Sequence, residues 1–175
     1  MNISLNDFSG DFAFFFSNEY QEYLFQLAKA KVNAKTWIEL AGLLKISPQF
    51  LYELRRSKHS IPLRIIFTLS KLTNIPLKEM EKNVARIRKG GYVHNISLPI
   101  TINGDFIGLM AHAFGDGHIV SKNFNFRYCN KDEELIQKVH QMVTSVFGDV
   151  SFHDQLSSYG IPVRTYPFFV GYILH

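Results

Sequence analysis

The chain has 175 residues, a formal net charge of +4 and one cysteine. This length gives room for one or two small domains, each with a modest core. One cysteine excludes a disulfide framework and a cysteine-rich zinc site, and the mild basic excess is compatible with a nucleic-acid partner. We therefore expect an intracellular, cytoplasmic protein with no membrane partner.

Residues 1–16 contain no motif that we recognise, and we treat them as a separate N-terminal segment. Their apolar run, Phe12–Phe16, is too short for the core of a signal peptide. Asp7 and Asp11 precede that run, at positions where a signal peptide would carry basic residues.

Two short helices with a tight joint are predicted between residues 36 and 56. Thr36 starts an apolar pattern that ends at Leu44, which is typical of a capped helix. Ser47 caps a second helix that runs to Arg56, with Pro48 at the favoured first position. The outward-facing residues of this second helix are polar or basic. This combination is typical of a helix-turn-helix, in which the second helix enters a DNA groove.

The pattern resembles the helix-turn-helix of the Cro and lambda-repressor type, with residues 36–44 as supporting helix and residues 48–56 as recognition helix. Ile61-Pro62 and Ile75-Pro76, each followed by an apolar helical pattern, match the rest of that domain. The resemblance implies an all-α domain over residues 17–89 that binds double-stranded DNA. Ser47, Gln49 and Tyr52 are expected at base edges, and Arg55, Arg56, Lys58 and His59 at phosphates. The alternative is a solvated basic face.

Residues 90–104 are predicted to be a basic linker. Arg86, Arg88 and Lys89 come directly before Gly90-Gly91, a composition typical of a hinge that could follow the DNA backbone. An ordinary linker without DNA contact is the alternative.

The decapeptide GLMAHAFGDG, which begins at Gly108, is the most informative stretch of the chain. Gly108, Ala111 and Gly115 fall on one helical stripe, where small side chains let a second helix approach closely. We expect Gly117 to adopt a positive φ and to stop the helix, so that Asp116 lies at its C-terminal end. The helix dipole disfavours a carboxylate there, and such an acid usually needs a cation or a donor nearby.

The elements after this helix are predicted from alternation, capping residues and turn residues. They are strands at 118–120 and 124–128, a helix that begins after Asn130 or Asp132 and ends near Phe147, strands at 150–153 and 161–165, and a helix opened by Pro167. The predicted order is helix-strand-strand-helix-strand-strand-helix. The fold class expected for the whole chain is α+β.

The segment Leu109–Gly117 resembles the signature of the LAGLIDADG (DOD-type) homing endonucleases, and residues 105–175 have the αββαββα order of one such core. The resemblance implies that Asp116, with Gly115, binds Mg²⁺ or Mn²⁺, and that a homodimer through the small-residue stripe brings two copies of Asp116 together. Arg127, Lys131 and Arg164 are the further catalytic candidates. No stop signal follows Pro167, so we expect a core that is shortened at its C-terminal end.

Two functions are compatible with the sequence. The first is a site-specific homing endonuclease that hydrolyses DNA phosphodiester bonds with a divalent metal. The second is a sequence-specific transcriptional regulator whose LAGLIDADG-like domain is inactive or incomplete. RNA maturase activity also stays open. A zinc site at His112 and His118 is disfavoured, because no third ligand follows at a matching spacing.

Overall fold

The computed structural model describes residues 2–175 and divides the chain into two compact units. The N-terminal unit is Ile3–Pro99, and the C-terminal unit is Ile100–His175 together with Asn2. Each unit contains helices and a four-stranded sheet, so the α+β class expected from the sequence is confirmed. The division after Pro99 differs from the predicted boundaries at residues 16, 89 and 104. Within residues 2–175, every helix is too short or too polar to cross a bilayer.

The N-terminal unit combines five helices with a sheet. After β1 (Asn2–Ile3), at the division between the units, the strands are β2 (Phe12–Phe16), β3 (Ile61–Pro62), β4 (Val84–Lys89) and β5 (Tyr92–Asn95). The helices are α1 (Asn18–Lys31), α2 (Trp37–Leu44), α3 (Pro48–Arg55), α4 (Leu63–Thr73) and α5 (Leu77–Met80). The sheet is antiparallel in the order β3-β2-β4-β5. The expectation of an all-α domain was therefore wrong, because β2 and the β4–β5 hairpin complete this unit from both ends of its sequence.

Side-chain caps set the ends of the predicted helices. Thr36 accepts a hydrogen bond from the Glu39 amide at the start of α2, and Ser47 accepts one from the Phe50 amide at the start of α3. Lys45, with φ of 54°, ends α2 in the left-handed conformation. Capping residues of this kind can be recognised in the sequence itself. The predicted bounds of α2 and α3 therefore agree with the structure to within one residue.

The core of the N-terminal unit lies between β2 and the helices. Phe12 and Phe14 alternate along β2 and are buried, as expected of a strand that covers a core, and Phe15 and Phe16 after them are buried as well. The residues that the helices contribute to this core are Leu24, Leu40, Leu51, Leu54, Ile65, Ile66 and Leu69. The N-terminal segment is therefore a structural part of the unit.

Gln21 of α1 is fully buried and joins three parts of this unit. Its Oε1 accepts from the Phe16 amide at 3.3 Å, while its Nε2 donates to the Leu54 carbonyl at 2.6 Å and to the His59 carbonyl at 3.1 Å. Because buried polar groups must find partners, one side chain satisfies backbone groups at the end of β2, in α3 and in the loop after α3. This loop and the sheet are thereby held to the same side chain.

The C-terminal unit has the element order predicted from the sequence. After β6 (Ile100–Thr101) come α6 (Gly104–Gly115), β7 (Gly117–Ile119), β8 (Phe126–Cys129), α7 (Glu133–Phe147), β9 (His153–Leu156), β10 (Pro162–Tyr166) and α8 (Phe168–Leu174). The antiparallel sheet has the order β7-β8-β10-β9, and α6 packs against α7. Of the two proposed caps of α7, Asp132 is the one that accepts from backbone amides of the first turn.

Gly117 does not end α6 through a positive φ, as the sequence led us to expect. Instead it is the first residue of β7, and Asp116 is the C-cap of α6. A Cβ at Gly117 would lie 2.6 Å from the Cα and the carbonyl oxygen of Ala113, and 2.7 Å from the Phe126 ring. The glycine is thus required by the close return of the chain over the last turn of the helix.

We predict that Gly117→Ala lowers the free energy of unfolding by about 1–2 kcal/mol. The new methyl group would overlap backbone atoms of Ala113, which can move away only by distorting the helix. Denaturant unfolding measures this change. Gly104→Ala, at the first residue of α6, is the matched control, since a Cβ there meets nothing within 4 Å. Equal stability of the two variants would contradict the close-approach explanation.

Candidate nucleic-acid interface and metal centre

Helix α3 buries one side and exposes the other. Leu51 and Leu54 point into the core, and Gln49, Tyr52 and Arg56 are exposed, with Tyr52 41% accessible. The outward face therefore presents an amide, a phenol and a guanidinium, three groups that can contact base edges or phosphates. We call Gln49, Tyr52 and Arg56 the α3 face.

Ser47 lies at the start of α3, and its hydroxyl accepts from the Phe50 amide at 3.1 Å. Capping the helix is thus its first role. As a donor, the same hydroxyl remains chemically able to contact a nucleic acid that approaches this end of the helix.

Local contacts hold the residues of the α3 face. Gln49 Nε2 donates to Glu53 Oε1 at 2.7 Å, and the second oxygen of Glu53 lies 3.3 Å from His59 Nε2. The guanidinium of Arg56 stacks 4.4 Å from the Tyr52 ring centroid. The polar surface therefore continues from α3 to the loop at His59, where the neighbouring Lys58 is also exposed.

Arg55, predicted to contact phosphates, points elsewhere. Its Nε and Nη2 donate to the two carboxylate oxygens of Glu22 at 3.1 and 2.6 Å, and its guanidinium stacks 3.5 Å from the Trp37 ring centroid. A bidentate ion pair combined with a cation–π contact fixes the guanidinium and neutralises its charge. Arg55 joins α3 to α1 and α2, and this role replaces the expected phosphate contact.

Asp116 is exposed at the C-terminal end of α6 and is held by neighbours from β8 and the loop after it. Asn130 Nδ2 donates to Asp116 Oδ2 at 2.9 Å, and the Tyr128 hydroxyl lies 3.5 Å from the same oxygen. The donors that the helix terminus was expected to require are therefore an amide and a phenol. Both act on one oxygen of the carboxylate.

His112 supports Tyr128 from the preceding turn of α6. Its Nδ1 lies 3.1 Å from the phenol oxygen, and the two rings meet edge to face. Burial and the nearby Asp116 carboxylate raise the pKa of Tyr128, so the phenol keeps its proton at neutral pH. With a proton on Nδ1, His112 donates to Tyr128, and Tyr128 donates to Asp116. His112 therefore helps to orient the phenol that contacts Asp116.

A metal ion at Asp116 would need more ligands than one protomer supplies. Mg²⁺ prefers carboxylate oxygens together with retained waters. Among residues 2–175, no three His, Cys, Asp or Glu side chains lie close enough together to hold a metal ion. Asp116 and the adjacent Gly115 backbone are therefore the ligands that one protomer would offer to a metal here.

The outer face of α6 consists of apolar or small residues that project outward. Ile107 is 64% accessible and Phe114 is 81% accessible, while Ala111 and Gly115 are exposed between them. A Cβ at Gly115 would meet nothing within 4 Å, whereas one at Gly108 would meet Met142 of α7 at 3.1 Å. The predicted stripe therefore divides: Gly108 serves packing inside the unit, and Ala111 and Gly115 face outward.

The three further catalytic candidates lie in different surroundings. Lys131 is exposed in the loop before α7, directly after Asn130. Arg127 is exposed on β8 and, by the alternation of a strand, lies on the opposite sheet face from the buried Tyr128. Pairing across the sheet places it in one row with His118, Thr165 and His153. A basic group on this row suits contact with a DNA backbone.

Arg164 is buried, with 7% of its side chain accessible. Its Nε and Nη2 donate to the two oxygens of Asp154 at 2.8 and 2.7 Å, and the guanidinium stacks 4.1 Å from the Phe152 ring centroid. The guanidinium is thus already paired with a carboxylate inside the protomer, a structural role beside which its catalytic role stays a prediction.

The sequence reasoning missed the partners of the candidate residues. Glu22 lies 33 positions before Arg55, and Asn130 lies 14 positions after Asp116, so no short motif connects either pair. The sequence predicts Asn130 only as a possible helix cap.

Comparisons with models of protein families and with curated proteins find no match for this chain.

Proposed function

We propose that this chain binds double-stranded DNA through α2 and α3 and that two copies, paired through α6, form a metal-dependent, site-specific DNA endonuclease of the LAGLIDADG type. The observation that carries the proposal is the outer face of α6, which is apolar, uncovered in the protomer and ends at the exposed carboxylate of Asp116. Exposed apolar patches of this kind mark association surfaces. A two-fold axis through this face would bring the two Asp116 carboxylates together.

The chemistry follows from the groups that the pairing would assemble. A divalent metal held by carboxylates activates water and neutralises the charge that develops on the phosphodiester. Asn130 and Tyr128 both contact Oδ2 of Asp116, so Oδ1 is the oxygen that we assign to the metal. The row of Arg127, His118 and His153 supplies groups that can contact the DNA backbone.

The DNA-binding part of the proposal is tested at the α3 face. We expect Gln49→Ala to weaken discrimination at one base pair by about 1–3 kcal/mol, because a glutamine can pair bidentately with adenine. We expect Arg56→Ala to lower the slope of log affinity against log salt by about one, since it removes one phosphate contact. Target sites selected from a random duplex pool, followed by equilibrium binding at several salt concentrations, give both quantities.

Arg55→Gln is the matched control, because it removes the same charge from the same helix. Since Glu22 and Trp37 hold the guanidinium, we expect its salt slope to equal that of the natural chain when both proteins are folded. A salt slope that falls for Arg55→Gln and not for Arg56→Ala would reverse our assignment of the two arginines.

A second candidate function is a sequence-specific DNA-binding regulator without nuclease activity. It is favoured by the single carboxylate of Asp116 at the C-terminal end of α6, because the described residues of one protomer form no group of three metal-ligating side chains. In that case the outer face of α6 serves dimerisation alone. This candidate predicts selective binding to a duplex with no cleavage in either Mg²⁺ or Mn²⁺.

A further inference from the structure

The segment predicted to begin a flexible linker is an ordered hairpin with two outward arginines on one sheet face. β4 pairs with β5 from Arg86 opposite Asn95 to Lys89 opposite Tyr92. Because side chains alternate along a strand, Arg86 and Arg88 lie on one face, while the buried Ile87 lies on the other.

The arginine face of the hairpin adjoins the end of α3. Pro62, Ala13 and Arg88 form one row across β3, β2 and β4. Arg88 and Ala13 also line a cavity of about 230 Å³ together with Phe50 of α3 and His59 of the following loop. Since His59 contacts Glu53, which contacts Gln49, these contacts connect the α3 face to the cavity that Arg88 lines.

Local contacts orient both guanidinium groups. Arg86 stacks 4.2 Å from the Phe15 ring centroid, and Arg88 Nε donates to the Gly90 carbonyl at 2.9 Å. A cation that is already oriented loses less side-chain entropy when it binds an anion. The aliphatic part of an arginine side chain is flexible, and this flexibility usually weakens its contacts at a surface. In Arg86 and Arg88 it is partly restrained by these contacts.

The charge of this surface favours a polyanion. Arg88 lines the cavity with His59, Lys58 is exposed directly before His59, and Arg86 shares the strand face of Arg88. Acidic groups are also present, namely Asp11 at the cavity and Glu53, which contacts His59. The basic groups flank the helix on which the proposed base contacts lie, where the phosphates of the same duplex would pass.

We propose that the β4–β5 hairpin is a second DNA-binding element, in which Arg86 and Arg88 contact backbone phosphates beside the site read by α3. This inference rests on the proposed DNA-binding function and extends it to a surface outside the helix pair. Phosphate contacts carry no sequence information, so the hairpin adds affinity to specific and non-specific complexes alike.

The test is the double variant Arg86→Gln/Arg88→Gln in the full chain, assayed by equilibrium binding to a labelled duplex of random sequence over a range of salt concentrations. We expect weaker binding and a slope of log affinity against log salt that is smaller by about two, one for each lost phosphate contact. Lys71→Gln/Lys78→Gln, on α4 and α5, removes the same total charge and is expected to keep the natural slope. Arg86→Lys/Arg88→Lys keeps both charges and should also keep the slope. Arg88→Glu, which reverses the charge, takes the place of the glutamine variant if that variant does not fold, and we expect it to lower the slope.

Three outcomes would overturn the inference in distinguishable ways. If the glutamine variant or, where that variant does not fold, charge reversal at Arg88 leaves the slope unchanged while Arg56→Ala lowers it, the hairpin is not a DNA contact and the proposed function stands. If the natural chain binds no duplex DNA at all, the proposed function and the hairpin inference both fail. If the slope depends on the hairpin only with duplex RNA, the partner is RNA and the DNA assignment is wrong.

Discussion

Asp116→Asn is expected to remove metal-dependent DNA cleavage while DNA binding persists. The substitution keeps the shape of the side chain and an oxygen that can accept from Asn130, but it removes the charge that a divalent cation requires. Because a bound metal contributes several kcal/mol of charge stabilisation, we expect the cleavage rate to fall by about a thousandfold or more. Nicking of a plasmid that carries the selected site, in Mg²⁺ or Mn²⁺, measures the rate.

Asp105→Asn is the matched control for this experiment. Asp105 lies in the first turn of the same helix, is exposed and accepts a hydrogen bond from Ser145 at 2.5 Å. We expect its cleavage rate to stay near that of the natural chain. Cleavage that survives Asp116→Asn would refute our metal assignment, and a natural chain that binds the site without cutting it would support the regulator.

Asp154→Asn should lower the free energy of unfolding by about 2–3 kcal/mol at neutral pH. The variant leaves the buried Arg164 without a carboxylate, a change that costs about 3–5 kcal/mol in a fully buried pair and less here because the Asp154 side chain is 54% accessible. Hydrogen bonds from Arg164 hold the pKa of Asp154 below its usual range, against the opposing effect of burial. Asp149→Asn, at an exposed carboxylate in the loop before β9, is the control.

The sign of the pH dependence follows from that lowered pKa. Above the pKa of an unfolded aspartate, about 4, the ion pair stabilises the folded state in full. As the pH falls through the lower pKa of folded Asp154, the carboxylate is protonated and this contribution is lost. The stability difference between the natural chain and Asp154→Asn should therefore shrink below about pH 4. A difference that stays constant down to pH 2 would contradict the ion-pair explanation.

The helices of this protein could be predicted from the sequence because their signals are local. Ser47-Pro48 marks the start of α3, Asp132 caps α7, and a few neighbouring residues suffice to see each one. The strands β2 and β4 were missed, because they pair with each other although they lie far apart in the sequence. The local pairing of β4 with β5 was missed, because Gly90-Gly91 between them was interpreted as a hinge. The phenylalanines of β2 looked like a short apolar run, since burial on both faces obscures the alternation of a strand.

The candidate site was predictable in position and less so in detail. The motif placed Asp116 correctly at the end of a helix, but it did not reveal that Asn130 and Tyr128 hold one of its oxygens. Arg55 and Arg164 likewise have partners that the sequence did not reveal. Each is basic and lies in a region proposed to bind DNA, yet Glu22 and Asp154 neutralise them through contacts that depend on the folded chain. A basic residue in a sequence indicates a nucleic-acid contact only where no carboxylate of the same folded chain pairs with it.

The buried amide of Gln21 has a consequence for how α3 would meet a ligand. Because it ties the backbone of α3 and the loop after it to β2, these elements are already in place before anything binds. Association should then proceed as rigid docking, with little conformational entropy lost. The heat-capacity change on binding should match the apolar area buried at the contact alone, without the larger value of coupled folding. Encounter should be governed mainly by diffusion and long-range attraction between charges.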